Sequence, residues 1–557
     1  MKPMKILLVN IPNNPVPIDR VPVGISRVIE GVDKSLGCEF SFIDIDRYRY
    51  GFDEIGARAA AFGPQVIGFS AIITPSYAYL KRLSAYLRGR FPDAVQVLGG
   101  EMSVAARTVL HKTAMDFCVR GEAEPAFSAL LRTLQERDFD ISAKEDFKKI
   151  PNLAFLLDGA PHFTAEVPYT DAAIAQTNWE IIGKFTDLDH YMQRVTEGPA
   201  FRPTMHESDL PAFFSRFRPE NLGKRILQVN ASKGCIGRCS FCYRFFKGYK
   251  VFDPASVKAY IEKMTGKYDI GVVQFNEENF GSHKKATDEI VEFLAEKKLN
   301  WYAPAVRANT ITEETAKKWR DCGCVSINIG AETGSQKILD VMDKAVRLDK
   351  NLEAMRIAFR YRLLHSIGLM IGMPGETEET VEESIRNLST VIPDDITQPF
   401  ELRINWLMAI PGTEAYEFAK KKGLIGTSVD EEDRYLEGLS GRDAKDTYHY
   451  LNFTDYDVRA IIYWKYYIYL EVTLAYMRKH GLFRTLFRKP ARRHKYALLY
   501  GLLPRPVRKT LFKYLAILYY YGPRDAAEVL FGAGGVKRKN ERYSLVDKPL
   551  REVNKGL

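Results

Sequence analysis

The first 150 residues alternate continuous apolar runs with amphipathic stretches. Lys5 to Ile11, Phe40 to Ile45, Val66 to Ala71, Val95 to Leu98 and Phe117 to Val119 read as strands buried on both faces, and stretches such as Tyr77 to Arg90 between them carry helical spacing. This order predicts an α/β unit over residues 1–150, an open, mostly parallel, Rossmann-like sheet. The alternation resumes at Lys224. Strands are predicted at Arg225 to Ala231, Gly271 to Phe275, Tyr302 to Val306, Val325 to Ile329, Ser366 to Ile371 and Glu401 to Met408, with helices such as Ala255 to Met264, Lys284 to Lys297 and Thr377 to Ser389 between them. Six such strands predict a partial (β/α)6 barrel over residues 224–430. Residues 151–223 read as a connector with several prolines, and residues 431–557 as a mainly helical, aromatic-rich C-terminal region.

Parallel α/β units carry their chemistry on the loops that follow strand C-termini. In the first unit those loops are Ser70-Ala-Ile-Ile-Thr74, Gly99-Gly-Glu-Met-Ser103 and Arg120-Gly-Glu-Ala-Glu124. In the second they are Gly234-Cys-Ile-Gly-Arg-Cys-Ser-Phe-Cys-Tyr243, Asn276-Glu-Glu-Asn279, Gly330-Ala-Glu-Thr-Gly-Ser335 and Gly368-Leu-Met-Ile-Gly-Met-Pro-Gly-Glu-Thr377.

Composition narrows the classes. At 557 residues and 46% hydrophobic content the chain can build several packed cores. Seven cysteines, three of them clustered, are no disulfide framework, and Met1 to Asn10 lacks a secretory apolar core, so a reducing cytoplasmic setting is expected. No apolar stretch approaches the ~20 residues of a membrane span. The net charge of +10 is uneven: Glu471 to Leu557 holds 20 Lys and Arg against 6 Asp and Glu, a net of +14, leaving −4 for the rest.

Cys235, Cys239 and Cys242 form C-x3-C-x2-C. Thiolates are soft ligands suited to iron-sulfur clusters, and three of them leave one iron of a 4Fe-4S cube without a protein ligand. Buried free thiols, or a zinc site completed by a distant His, are the alternatives; so dense a group beside Gly and Arg is a poor core pattern. Cys322 and Cys324 read as packing residues, because Cys324 opens an apolar strand and no third thiol is near. His190 and His206 read as surface or packing residues.

The cysteine motif and the order of loops after it resemble the radical S-adenosylmethionine (SAM) enzymes. The resemblance implies that the amino and carboxylate groups of SAM chelate the free iron. It assigns SAM contacts to Phe241 near the adenine, Asn276 and Glu277 at the ammonium, Glu332 and Ser335 at the ribose, and Ile371 and Gly372 beside the adenine. Two oxygens on Glu332 can serve two hydroxyl donors, and carboxylate or amide oxygens can accept from an ammonium.

The first unit lacks G-x-G-x-x-G after its first strand, which weakens a nicotinamide reading. It resembles instead the cobalamin-binding domain that precedes the radical SAM domain in one subgroup. That implies cobalamin contacts at Ser70, Ile72, Ile73, Thr74, Gly99, Gly100, Glu101, Gly121 and Glu122. The D-x-H-x-x-G motif that supplies cobalt with a lower His ligand is absent, and Asp187-Leu-Asp-His190 does not fit it. The loop around Ile72, Ile73 and Thr74 is then expected on the lower face of the corrin.

The implied activity is a cobalamin-dependent C-methyltransferase acting on an unactivated carbon. The resemblance implies reductive cleavage of SAM to a 5′-deoxyadenosyl radical, hydrogen abstraction and methyl transfer from methylcobalamin, with two SAM consumed and a flavodoxin- or ferredoxin-type electron donor. The alternatives are cyclisation, oxidation or rearrangement with the same cofactors, and more distantly a non-catalytic cobalamin or cluster sensor. Methylthiotransfer to transfer RNA is set aside, because the first unit holds only Cys38 and Cys118 where those enzymes add a second cysteine triple. The substrate class stays open among small molecule, lipid, tetrapyrrole and peptide.

The C-terminal region is aromatic at Ile461 to Leu470 and Leu511 to Tyr521, with Arg484, Arg488, Lys489, Arg492, Arg493 and Lys495 between. A helical cap over the barrel, a surface that meets anionic lipid, and a nucleic-acid face are the three readings. The last ranks lowest, because no RNA-binding motif is present.

Overall fold

The computed structural model describes residues 3–12, 20–71, 73–168, 176–196, 205–244, 246, 248–440, 451–489, 491–508, 510–511, 513–516, 518, 546 and 548–556. They form two compact units, one of Met1–Gln193, Tyr243–Lys247 and Ile410–His449, the other of Arg194–Cys242, Gly248–Ala409 and Tyr450–Leu557.

The first unit is built on β1 (Met4–Asn10), β2 (Cys38–Asp44), β3 (Val66–Ser70), β4 (Val95–Gly99), β5 (Phe117–Val119), β6 (Leu153–Leu157) and β7 (Ala160–Phe163), in the order β2-β1-β3-β4-β5-β6-β7. The first five run parallel, as their apolar sequences require: Ile6, Leu7, Val9, Val66, Ile67 and Leu98 are all buried, on alternating faces of one sheet. The strand order reverses between β1 and β3, and Asn10 pairs with Ser70 at that point. A doubly wound sheet opens its ligand crevice at such a reversal.

The hairpin β6–β7, which adds two antiparallel strands beyond residue 150, is not anticipated by the alternation. Its turn, Asp158-Gly159, has positive φ at both residues (50° and 79°), the signature of a two-residue hairpin turn. Helix Val429–Leu439 packs on helices Ile73–Arg90 and Ala106–Lys112 of the same unit. Lys81 Nζ lies 2.8 Å from both Asp433 oxygens, Tyr77 donates to Asp433, and Thr108 Oγ1 donates to Glu432 at 2.8 Å.

The second unit holds β8 (Arg225–Val229), a short antiparallel ribbon of β9 (Ser232–Cys235) and β10 (Gly248–Val251), then β11 (Ile270–Phe275), β12 (Asn300–Val306), β13 (Cys324–Glu332), β14 (Ser366–Ile371) and β15 (Glu401–Trp406). The six-stranded sheet has the order β15-β14-β13-β12-β11-β8 and is parallel throughout. Burial along β13 to β15 alternates. Ile327, Ile329, Ile367, Leu369, Leu402 and Ile404 are sealed, whereas Asn328, Gly330, Gly368, Met370, Arg403 and Asn405 are half-buried. Successive side chains point to opposite faces of a strand, so the second set shares one face of the sheet. Met205, Phe213 and Phe217 pack with Ile226, Val272 and Tyr302 toward the strands' N-terminal ends. Above them runs a polar chain: Tyr302 donates to Gln274, Gln274 Nε2 donates to Asn276 Oδ1 at 2.8 Å, and Asn276 Nδ2 donates to Gln228 Oε1 at 3.0 Å.

The C-terminal region contributes helix Val458–His480, buried around most of its circumference. Tyr467 donates to Glu382 at 2.7 Å and Tyr476 to the Ile396 carbonyl at 3.2 Å, which fastens this helix to the loops and helices around β14 and β15. Among the described residues no helix is long and apolar enough to cross a membrane.

Behind β11 and β12, Phe275, Phe280, Trp301 and Trp319 form one aromatic cluster with centroids 4.3 to 5.8 Å apart. Trp301 is fully buried and its indole donates to the Cys322 carbonyl at 2.9 Å. Trp301→Ala is expected to lower the unfolding free energy by about 3–5 kcal/mol, to be read from the urea midpoint at unchanged slope.

Candidate metal and cofactor sites

In the second unit the predicted residues converge on one rim because parallel strands end together. The cysteine loop follows β9, Asn276 and Glu277 follow β11, Arg307 follows β12, Glu332 ends β13 and Gly372 follows β14. The cysteine loop is anchored by its backbone: Ser240 N–H donates to the Met342 carbonyl at 2.8 Å, Cys242 N–H to the Cys239 carbonyl at 3.1 Å, and Gly237 N–H points to Cys235 Sγ at 3.3 Å. A side chain at Gly237 would meet Arg307 Nη1 at 2.2 Å, so this glycine makes room for a guanidinium beside the thiols. Arg307 in turn donates to the Lys344 carbonyl at 2.6 Å.

Burial raises the Cys239 thiol, and the cations of Lys344 and Arg307 pull it back; burial, with Cys239, Glu278 and Cys235 nearby, pushes Cys242 up to about 12. Burial thus opposes the thiolate form that coordination to a metal imposes. Among the described residues no three His, Cys, Asp or Glu side chains converge tightly enough to hold one metal ion. The soft, all-sulfur donor set suits iron-sulfur chemistry.

Glu332 has φ 63° at the end of β13, and its Oε1 lies 2.8 Å from Lys344 Nζ. Lys344 is itself 5.9 Å above the Phe241 ring. Burial would lower the Lys344 pKa, but the Glu332 carboxylate and Cys239 outweigh it and the net shift is upward, so the ammonium stays charged beside the loop. Lys344 and Arg307 are the residues that sequence spacing does not reveal. Lys344 stands twelve positions after Glu332, with a helix between them, and belongs to no loop motif.

Glu277 is buried. Its Oε1 accepts from the Ala231 and Ser232 amides, while Oε2 is buried without a partner. Burial holds its carboxyl at about 7. Asn276 is committed on both amide atoms to the glutamine pair above. Ser335 is fully buried and donates to Glu383 at 2.6 Å. The Ile371 carbonyl accepts from Leu407 N–H at 3.0 Å, and Gly372 N–H donates to Glu376 Oε2 at 2.6 Å. Of the residues assigned to SAM, Phe241 and Glu332 keep aromatic or polar surface to offer, Glu277 keeps a buried oxygen without a partner, and Ser335 faces inward. A cleft of about 350 Å³ adjoins the cysteine loop, lined among others by Ile236, Ser282, Arg307, Asn309 and Thr310.

In the first unit, Ser70 and Gly99 pair at the C-terminal ends of β3 and β4. Gly100 has φ 86°, and a Cβ there would stand 2.6 Å from the Ala71 carbonyl oxygen, so the turn backbone lies flat against the next strand's loop. Gly121 has φ 69° and open space around it. That flat, side-chain-free shelf fits a large planar ligand at the sheet's C-terminal edge. Burial raises the Glu101 carboxyl. Glu122 is buried and paired with Arg27, which also reaches Glu124 at 2.7 Å, so its carboxylate is engaged within the protein. Ile73 and Thr74 open helix Ile73–Arg90, and Ile72 lies outside the described residues. A buried polar knot was not foreseen there: Asp44 Oδ2 accepts from Tyr191 and Thr186 at 2.7 Å each, and Oδ1 from Asn10 at 3.3 Å.

Glu376 bears on the rim through the amides of Gly372 and Met373. Burial raises its pKa from 4.5 to about 7. The unfolded chain releases this proton first, so stability falls as pH rises from about 4.5 to about 7. Glu376→Gln is expected to remove that share of the decline, measured as a smaller difference between urea unfolding free energies at the two ends of the window.

The Radical SAM superfamily model matches residues 229–388, and the B12 binding domain model matches residues 14–131. Among curated proteins, the chain is 25% identical over 401 residues to the anaerobic magnesium-protoporphyrin IX monomethyl ester cyclase of Cereibacter sphaeroides, covering 70% of this chain and 58% of the relative. It is 25% identical over 446 residues to an uncharacterized methyltransferase of Pyrococcus horikoshii, covering 77% and 85%. The chain thus spans less than two thirds of the cyclase's length. Among solved structures, the cobalamin-dependent S-adenosylmethionine radical enzyme OxsB with aqua-cobalamin bound shares the fold, with a TM-score of 0.60 at 15% identity over all of this chain and 81% of that one.

Proposed function

We propose that this chain, a cobalamin-dependent radical SAM enzyme by its two matched domains, is a C-methyltransferase acting on an unactivated carbon. The observation that carries the reading is the open triple of Cys235, Cys239 and Cys242 on the barrel rim, beside the Lys344–Glu332 pair. When bound, the cluster and cobalamin supply the electron that cleaves SAM and the methyl group that is transferred.

The chain's own residues do the rest. The three thiols would hold the cluster, and Arg307 and Lys344 place positive charge against it. Glu332 offers carboxylate oxygens to a ribose, with Lys344 holding it in place. Phe241 offers a ring face, and the buried Oε2 of Glu277 offers an acceptor to an ammonium. Asn276, Ile371 and Gly372 keep the rim's backbone and amides in register, and the apolar packing of Met205, Phe213 and Phe217 excludes water from the strands' N-terminal ends. In the first unit, the backbone at Ser70, Gly99, Gly100 and Gly121 would receive the corrin, and Glu101 and Glu122 border that shelf. The division into residues 1–150, 151–223, 224–430 and 431–557 is proposed as the functional one, with the β6–β7 hairpin and helix Val429–Leu439 folded into the first unit.

The half-buried Asn328, Arg403 and Asn405 on one face of the six-stranded sheet support a substrate with hydrogen-bonding groups. The electron donor is of the flavodoxin or ferredoxin type, and the setting is the cytoplasm with peripheral contact to a membrane. The likeness to a magnesium-protoporphyrin ester cyclase favours one second reading, ring closure with the same cofactors and no methyl transfer.

Reduced, reconstituted protein is expected to release 5′-deoxyadenosine and to pass label from methyl-labelled SAM into product, read by mass spectrometry. Cys239→Ala should lose the cluster's visible absorption and fall to background in both. Turnover of substrate without label would favour the cyclase reading and sink methyl transfer.

A further inference from the structure

The basic C-terminal side chains fall into two sets. Lys489 lies 2.8 Å from Asp209, Arg493 3.6 Å from Asp209 and 3.7 Å from Glu401, and Arg508 3.1 Å from Glu471, all nearly sealed from solvent. These cations clamp helices Leu482–Arg488 and Arg492–Gly501 and the residues after them to the body of the second unit. They are spent inside the protein. Arg484, Arg488 and Lys495 are exposed.

The exposed set stands among large apolar side chains that are exposed as well: Phe483 at 70%, Phe487 at 86%, Leu499 at 58% and Leu502 at 70%. Phe483 and Phe487 are one helical turn apart and share a face, each followed directly by an arginine. Tyr496 and Leu499 repeat the arrangement behind Lys495. Scattered single apolar residues on a surface need no explanation, but this density within twenty positions does. Helices stabilised by packing alone would turn their phenyl groups inward, as helix Val458–His480 does with its aromatic residues.

Apolar side chains interleaved with cations on short surface helices match an interfacial lipid contact, and the exposed Arg484, Arg488 and Lys495 supply the charge complementarity. Base stacking needs aromatic faces, which Leu499 and Leu502 lack, so the composition favours lipid over nucleic acid. We infer that the surface formed by residues 482–502 docks on an anionic bilayer. Phe483, Phe487, Leu499 and Leu502 enter the acyl boundary, and Arg484, Arg488 and Lys495 meet the phosphate headgroups. This deepens the peripheral membrane contact proposed above and is independent of the reaction catalysed.

The test is co-sedimentation of the full chain with vesicles of phosphatidylcholine containing phosphatidylglycerol, against vesicles of phosphatidylcholine alone, with no turnover required. Pelleting is expected with the anionic vesicles and should weaken with salt. Arg484→Gln with Arg488→Gln should weaken partitioning about fivefold for each cation removed. Phe483→Ser with Phe487→Ser should weaken it more than tenfold. All four positions are exposed, so the thermal midpoint should be kept, and it is measured alongside. Absence of pelleting, or pelleting unchanged in both double variants, overturns the proposal. Binding of oligouridylate that is lost in the same variants, without pelleting, reassigns the face to nucleic acid and overturns it too.

Discussion

Every strand of the six-stranded sheet runs the same way, and the chemistry of the second unit depends on that constraint. Parallel pairing brings the segments after β8, β11, β12, β13 and β14 to a single rim, the cysteine loop entering it through the short β9 ribbon that follows β8, so residues up to 137 positions apart, Cys235 and Gly372, can serve one site. The cysteine loop has little regular structure of its own. It is held by backbone bonds to the 341–344 turn and by Arg307 pressed against Gly237. Lys344 and Arg307 beside Cys239 also favour its charged sulfur form, offsetting part of the burial that opposes it.

The same rim shows how buried charge is managed. Lys344 and Glu332 answer one another, so neither stands uncompensated away from water. Glu277 and Glu376 follow a different course: each bonds backbone amides with one carboxyl group and is raised toward neutrality by burial. These carboxyls fasten loops that carry no regular hydrogen-bond ladder.

Much of this was legible in the residues themselves. The strands at Lys5, Val66 and Val95 announce themselves because burial on both faces demands apolar runs, and those at Ser366 and Glu401 because one buried face demands alternation. The cysteine triple is legible because its spacing has one good chemical use. Three things were not. The β6–β7 hairpin is not anticipated by the strand–helix rhythm, which a hairpin interrupts, although Asp158-Gly159 marks its turn. Lys344 and Arg307 reach the thiols through tertiary folding, which no local spacing encodes. Ser335 and Glu122 sit at suggestive loop positions, yet Glu383 and Arg27 hold their polar atoms, and such partners declare themselves only in three dimensions. The charge run beyond residue 470 is visible as a sum, but its division into inward clamps and outward cations is not.

The return of helix Val429–Leu439 to the first unit has a consequence for how the chain is made. Lys81, Tyr77 and Thr108 wait for acidic partners that leave the ribosome more than three hundred residues later. Until then the nascent sheet carries an uncovered helix surface, and the whole intervening barrel must be synthesised as a guest within its host. Synthesis halted before residue 429 would leave that surface bare, a natural place for chaperones to bind and for proteases to cut.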